Sequence, residues 1–178
     1  IKFDFLGLTL LKDVENCIKR ILTRENGKEP TFLEIRDWFD EHLNCRYVEQ
    51  DDDEVWRHVY HQRRKVGVFQ FTAEGARRFC EDAKPTSIIE LAALTAIYRP
   101  GPLRANVHMK YVKDKGRADE IHYAHPIIKE VLGPTFGHVT FQEQFMILAQ
   151  KLGGFTPAES DKLRKTLVKK SLDTIGNK

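Results

Sequence analysis

Residues 85–104 read PTSIIELAALTAIYRPGPLR. Ser87 is followed three residues later by Glu90, the spacing of a capping box, in which hydroxyl and carboxylate satisfy the free amides of a helix start. The run from Ile88 to Tyr98 is apolar on most sides, which predicts a helix buried in a core. Arg99-Pro100-Gly101-Pro102 must end it. Proline has no amide hydrogen and its ring collides with the preceding turn, so this segment predicts a rigid, irregular loop. A buried helix of this kind needs other helices around it, and the rest of the chain supplies them.

Toward the amino terminus, Leu11, Val14, Ile18 and Ile21 follow helical spacing and predict an amphipathic helix over about residues 8–23, closed by an Asn26-Gly27 turn. Thr31 and Glu34 form a second capping box. It opens a helix expected to carry Phe32, Ile35, Phe39 and Leu43 on one side. Asp51, Asp52 and Asp53 read as a solvated helix start, with Asp52 or Asp53 as the cap and the helix running to His61. Val66 to Phe71 is a short apolar segment expected to be extended, before a helix over about residues 72–82. Phe3 and Phe5 alternate with Lys2 and Asp4, predicting a strand over Ile1 to Leu6.

Toward the carboxyl terminus, a lysine-rich helix is expected over about residues 103–115, and Pro126 suits the first turn of a short helix to Leu132. Phe141, Phe145, Leu148 and Leu152 mark one face of a helix stopping at Gly153-Gly154. Thr156, Pro157 and Glu159 start the last one. The fold class is therefore mainly α with a few short strands.

The 178 residues are 41% hydrophobic and 31% charged, with a formal net charge of +3. Such a small charge means that any anion-binding site must be local. No apolar run approaches the ~18 residues of a membrane span, and no signal peptide is visible. Cys17, Cys45 and Cys80 are odd in number and widely spaced, as reduced cytoplasmic thiols would be. The absence of an initial methionine and the stop at Lys178 suggest a piece of a longer chain.

The last helix carries the clearest chemistry. Lys162, Lys165 and Lys169 share one stripe, flanked by Arg164 and Lys170, while Leu163 and Leu167 are expected to anchor the other side. A basic stripe on an anchored helix can cradle phosphates through charge-assisted hydrogen bonds, although a solvated helix end reads equally well from composition. Asp4 beside Lys2 could hold a divalent ion next to a phosphate, but one carboxylate does not make a two-metal site. The close pairs His58/His61 and His122/His125 lack a third ligand nearby.

An ordered set of short motifs decides between these alternatives. They are Lys2-Phe3-Asp4-Phe5-Leu6-Gly7-Leu8; Gly67-Val68-Phe69-Gln70-Phe71; Tyr98-Arg99-Pro100-Gly101-Pro102-Leu103; Thr135-Phe136-Gly137; Phe141-Gln142-Glu143-Gln144; and Ala158-Glu159-Ser160-Asp161-Lys162-Leu163-Arg164-Lys165, continuing to Lys169-Lys170. In this order they resemble the palm edge and fingers of the C-family replicative DNA polymerases, the catalytic alpha subunits of bacterial DNA polymerase III. The chain has Lys165 where that family usually has a second arginine, Val168 where it has glycine, and Phe141 where it has tyrosine.

The resemblance implies a palm edge over residues 1–25 and a helical fingers domain over residues 26–178. It implies that Asp4 is one catalytic, metal-ligating palm aspartate and that Lys2 lies near the reacting phosphates. Arg99, Gln142 and Gln144 would then surround nucleotide and template, and Arg164, Lys165, Lys169 and Lys170 would hold the incoming triphosphate. The implied reaction is nucleotidyl transfer to a primer 3′ end with two Mg²⁺ ions. The implied partners are primer-template DNA, deoxynucleoside triphosphates, the rest of the polymerase chain, and in the parent the sliding clamp and other replisome subunits. The two upstream palm aspartates, the thumb, the clamp-binding region and the phosphoesterase-like domain are not in this sequence, so the chain by itself is expected to be inactive. A non-catalytic, nucleic-acid-binding helical module on a fingers-like scaffold is the alternative.

Overall fold

The computed structural model describes residues 7–46, 51–62 and 67–173, with side chains as far as residue 167. The expected strand over Ile1 to Leu6 lies outside them, as does Val66. The described residues are mainly helical and contain no strand.

Helices α1 (Thr9–Asn26) and α2 (Phe32–His42) form an amino-terminal pair. Gly27 ends α1 in the left-handed region, and its amide reaches back to the Thr23 carbonyl at 2.9 Å. The Thr31–Glu34 capping box is complete: the Thr31 amide donates to Glu34 Oε2 at 2.7 Å and the Glu34 amide to Thr31 Oγ1 at 3.3 Å. Ile18, Leu22 and Ile35 form the buried seam, with Val14, Trp38 and Phe39 packed on it. The apolar face of α2 is thus Ile35, Trp38 and Phe39; Phe32 is 70% exposed and Leu43 is also exposed, contrary to the sequence expectation.

Asp52 caps the next helix by accepting the Glu54 amide at 2.8 Å. That helix is α3 (Asp53–Val55), which widens into a π-turn over Trp56–Tyr60, with the His61 amide reaching the Trp56 carbonyl at 2.9 Å. Gly67 to Phe71 is not extended. It is a chain of turns with Gly67 and Gln70 at positive φ, and it delivers Phe71 into the core.

The central body is α4 (Glu74–Ala83), α5 (Ile88–Ile97), α6 (Pro100–Arg104) and α7 (Val107–Lys115). Its core is Phe71, Ala76, Phe79, Cys80, Ala83, Ala93, Leu94, Ile97 and Tyr111. Only the carboxyl-terminal half of α5 is buried; Ile88 and Ile89 are exposed. The Arg99-Pro100-Gly101-Pro102 segment does break α5, but it is not an irregular loop. Arg99 is extended and Pro100 opens α6, because the first turn of a helix has no intrahelical use for the amides that proline lacks. The lysine-rich helix expected over 103–115 is likewise two helices, divided at Asn106, which has φ 54°.

Aromatic rings fill the centre. Tyr111 meets Phe136 edge-on at 5.4 Å between centroids and Phe79 at 6.5 Å, while Phe79 stacks on Tyr98 at 6.3 Å. Tyr98 approaches α4 closely because residue 75 is glycine; a Cβ there would lie 2.2 Å from the Tyr98 hydroxyl oxygen. Burial pushes the Tyr111 hydroxyl well above the ordinary phenol range, with Glu90 adding to the effect. At the edge of this core, Lys115 Nζ donates to Glu90 Oε2 at 2.5 Å and to the Lys84 carbonyl at 2.7 Å. The ammonium also sits 5.9 Å from the Phe136 ring centroid.

Three further helices complete the described chain: α8 (Pro126–Leu132), α9 (Gln142–Gly153) and α10 (Pro157–Asp173). A single 3₁₀ turn, Gly133–Thr135, follows α8, and Phe136 and Gly137 then adopt φ of 51° and 83°. These two left-handed residues turn the Phe136 ring into the central core.

Candidate functional site

The site is built from the amino-terminal end of α9. Gln144 is 8% exposed, and it is the buried residue of a helix whose sequence suggests an apolar anchor. Its Oε1 accepts the amides of Thr140 at 2.9 Å and Phe141 at 3.0 Å, and the Thr140 hydroxyl at 3.2 Å. Its Nε2 donates to the Val131 carbonyl at 3.1 Å and to Thr135 Oγ1 at 2.8 Å. The Thr135 hydroxyl in turn donates to the His138 carbonyl at 2.6 Å. One amide thus ties α8, the 3₁₀ turn and the start of α9 together. Its two donors and its oxygen are all engaged inside the chain, so Gln144 holds the site in place rather than offering groups to a ligand.

The turn into α10 follows from local sequence. Gly154 is left-handed, its amide bonding the Gln150 carbonyl at 3.1 Å and that of Phe155 the Ala149 carbonyl at 3.3 Å, a Schellman closure. Thr156 and Glu159 then form a full capping box. Those bonds hold the Glu159 carboxyl below its usual range. Ser160 is fully buried, accepting from Gln150 Nε2 at 2.9 Å and donating to the Pro157 carbonyl at 2.8 Å. Residue 150 meets 160 and residue 142 meets 164, so α10 runs back antiparallel along α9.

This return brings two of the expected site residues together. Arg164 Nη1 donates to Gln142 Oε1 at 2.7 Å, across 22 positions of sequence. On the same helix, Asp161 Oδ1 accepts Arg164 Nε at 3.0 Å and Nη2 at 2.7 Å. Asp161 Oδ2 accepts Lys165 Nζ at 2.6 Å. The hydrogen bonds from Lys165 and then Arg164 hold the Asp161 carboxyl below its ordinary value. The Lys162 ammonium is exposed and has no partner among the described residues. The anchor beneath this cluster is Leu163, which is half-buried. Leu167 is 48% exposed, so the second anchor expected from the sequence is not one.

The other expected site residues are placed apart or lie outside the described part. Arg99 is exposed just before α6, and its guanidinium has no partner among the described residues. Lys169 and Lys170 belong to α10, but their side chains are outside the described residues, as are Lys2 and Asp4 altogether. Among the described residues, no group of three or more His, Cys, Asp or Glu is placed to hold a metal ion. His61 and His125, one from each pair, have structural partners instead. His61 Nε2 lies 2.7 Å from the Pro85 carbonyl, and His125 Nδ1 accepts the Ile127 amide at 3.1 Å to cap α8. Asp161 is the residue that sequence reasoning passed over. Its signal was the i, i+3 and i, i+4 spacing to Arg164 and Lys165, which places all three on one helix face.

The family described as "Bacterial DNA polymerase III alpha subunit finger domain" matches residues 8–178. Curated relatives carry the name DNA polymerase III subunit alpha. The chain is 34% identical to that of Aquifex aeolicus over 175 residues, which is 98% of the chain and 14% of the relative. It is 37% identical to that of Borreliella burgdorferi over 178 residues, 98% and 14% of the two chains. It is 33% identical to that of Treponema pallidum over 181 residues, 100% and 14%. The chain therefore spans about one-seventh of the length of these relatives.

Proposed function

The chain belongs to the finger-domain family of bacterial DNA polymerase III alpha subunits, and on that premise we propose that its α9–α10 arm receives the triphosphate of an incoming deoxynucleotide. The observation that carries the reading is the Gln142–Arg164 junction, which sets half-buried Arg164 and exposed Lys165 on one helix face beside the start of α9. In this reading Arg164, Lys165, Lys169 and Lys170 neutralise phosphate charge, with Lys162 as a fourth lysine on the same helix. Arg99 meets nucleotide or template from the start of α6, and Gln142 orients Arg164. Gln144 contributes by holding the α9 start in position. Positioning and charge neutralisation are what phosphoryl transfer asks of a protein.

The parent reaction proposed is nucleotidyl transfer to a primer 3′ hydroxyl in a replicative, cytoplasmic DNA-directed DNA polymerase. Residues 1–25 are proposed as palm edge and residues 26–178 as fingers. Primer-template DNA, the rest of the polymerase chain, the sliding clamp and other replisome subunits are the proposed partners. No helix among the described residues is long and apolar enough to cross a membrane. Mg²⁺ is assigned only to Asp4 with carboxylates supplied from elsewhere in the parent. Among the described residues, no group of His, Cys, Asp or Glu forms such a site.

The test is equilibrium binding of a fluorescent deoxynucleoside triphosphate and of primed DNA to the 178-residue chain. The variant R164A/K165A/K169A is expected to lose most of the affinity and to flatten the salt dependence by about one unit of log–log slope per lost contact. The control is K110A/K113A/R117A, which removes equal charge from exposed positions on and just after α7 and spares the Lys115–Glu90 pair. Equal loss in both variants would reduce the binding to diffuse electrostatics. With Mg²⁺ and all four deoxynucleotides, the chain alone is expected not to extend a primer.

A further inference from the structure

Three cationic groups on the described part of α10 face the proposed phosphate site, and they are not treated alike. Lys162 is exposed and unpaired among the described residues. Arg164 and Lys165 are both held by a single carboxylate, Asp161. Glu159, the other acid at this end of the helix, is committed to capping Thr156. Asp161 therefore has no capping task. Its two oxygens divide between the two cations, Oδ1 to the guanidinium edge and Oδ2 to the ammonium. Two oxygens on one atom, bridging an arginine edge and a lysine, is also the arrangement that a phosphate group presents. Gln142, from α9, fixes the guanidinium from a third direction without adding charge.

We propose that Asp161 is an internal stand-in for phosphate. It keeps Arg164 and Lys165 gathered in the ligand-like arrangement while the site is empty, and it yields them to an incoming polyphosphate. This rests on the reading of α10 as the triphosphate-binding helix and adds how that site is kept ready and what limits its affinity. Two consequences follow from competition for the same donors. A ligand must offer more charge than a carboxylate to displace it, so tripolyphosphate should bind and acetate should not. Removing the carboxylate should strengthen binding, whereas removing a mere helix-stabilising pair should leave it unchanged or weaken it.

The experiment measures inorganic tripolyphosphate binding to the 178-residue chain by calorimetry at fixed ionic strength. D161N keeps the shape of Asp161 and is expected to bind roughly three- to tenfold tighter, the scale set by two partly exposed ion pairs. E143Q, which removes an exposed acid next to Gln142 on α9, is the charge control and should change affinity by less than about twofold. The gain from D161N should vanish in D161N/R164A. Equal tightening by D161N and E143Q, or a gain that survives R164A, overturns the stand-in, because general charge would then explain it. Weaker binding by D161N with unchanged helicity overturns it as well. If wild type, D161N and R164A all fail to bind, the triphosphate reading of α10 falls and takes the stand-in with it. Binding that R164A abolishes but D161N leaves untouched removes the stand-in alone. An independent readout on the wild type is the Arg164 Nε–H resonance. At saturating tripolyphosphate it should coincide in wild type and D161N, because the guanidinium has left residue 161. A wild-type resonance that stays at its free position during saturation would also end the proposal.

Discussion

The central body and the α9–α10 arm are both helical, yet they are held together by different means. Around Tyr111 the structure closes on buried rings and aliphatic side chains from α4, α5 and α7, and burial removes apolar area from water without needing directed bonds. In the arm the buried residues are Gln144 and Ser160, and the contacts between helices are hydrogen bonds of defined direction. The first kind of interior sets stability. The second kind sets geometry, and leaves the outer face of α10 available for charge. A helix carrying Lys162, Arg164 and Lys165 could not sink into an apolar core without stranding them, so polar ties near its start do the work that apolar packing does elsewhere.

The comparison can be broken most severely in the body. L94A removes a fully buried side chain from the centre of α5 and is expected to cost about 2–5 kcal/mol, read from urea denaturation. The loss should be global, with all probes moving together. In the arm, Q144A removes the partner of two amides, two threonine hydroxyls and a carbonyl, at an expected cost of about 2–3 kcal/mol. Here the loss should be regional: hydrogen exchange in α9 and α10 should rise well before exchange in α5. Uniform acceleration through both regions would show that the arm is part of the same cooperative unit.

A third variant sharpens the contrast at the edge of the body. Lys115 and Glu90 form a pair whose side chains are 19% and 14% exposed. K115A leaves a half-buried carboxylate and should cost about 2 kcal/mol, below the figure for a fully buried pair because solvent still reaches it. The double variant K115M/E90Q should recover part of that loss, which a double-mutant cycle would measure. Additive losses would mean that the two residues contribute separately.

The smallest effect is expected at the Thr156–Glu159 box. The folded chain holds the Glu159 carboxyl below the ordinary glutamate range, through its bonds to the Thr156 amide and hydroxyl, so the box stabilises the start of α10 at pH values above that range. Its contribution is lost as the pH falls through the lower folded value. E159Q should therefore abolish the acid-dependent part of α10 fraying, followed by exchange of amides 158–161, while leaving the melting of the body unchanged. Acid fraying of the same size in E159Q would assign it to another group.

Much of this molecule was written in local sequence. The capping boxes at Thr31 and Thr156 form as spaced, because a cap needs only residues three positions apart, whereas at Ser87 only its hydroxyl accepts the Glu90 amide, the Glu90 carboxylate being taken by the Thr86 amide and Lys115. The glycine closures after α1 and α9 and the proline start of α8 are equally local. Where the sequence reading of the α2 face erred, the deciding partner was distant. Phe32 and Leu43 have the spacing of a buried face, but α1 meets α2 through Ile35, Trp38 and Phe39. The segment at Gly67 to Phe71 looks extended, yet its left-handed residues fold it into turns that carry Phe71 to the core.

The same division runs through the candidate site. The basic residues of α10 and their helical face were legible from spacing alone, as was the family resemblance carried by the motif order. That Gln144 is an internal clamp while Gln142, two residues away, meets Arg164 could not be read from sequence, since a glutamine amide serves either purpose and burial chooses between them. The sequence by itself determined where each helix starts, stops and carries charge, because those are properties of neighbours along the chain. Only the tertiary structure decided that α10 folds back on α9 and lays Arg164 against Gln142, 22 positions away, because that meeting depends on a buried serine and a left-handed glycine acting together.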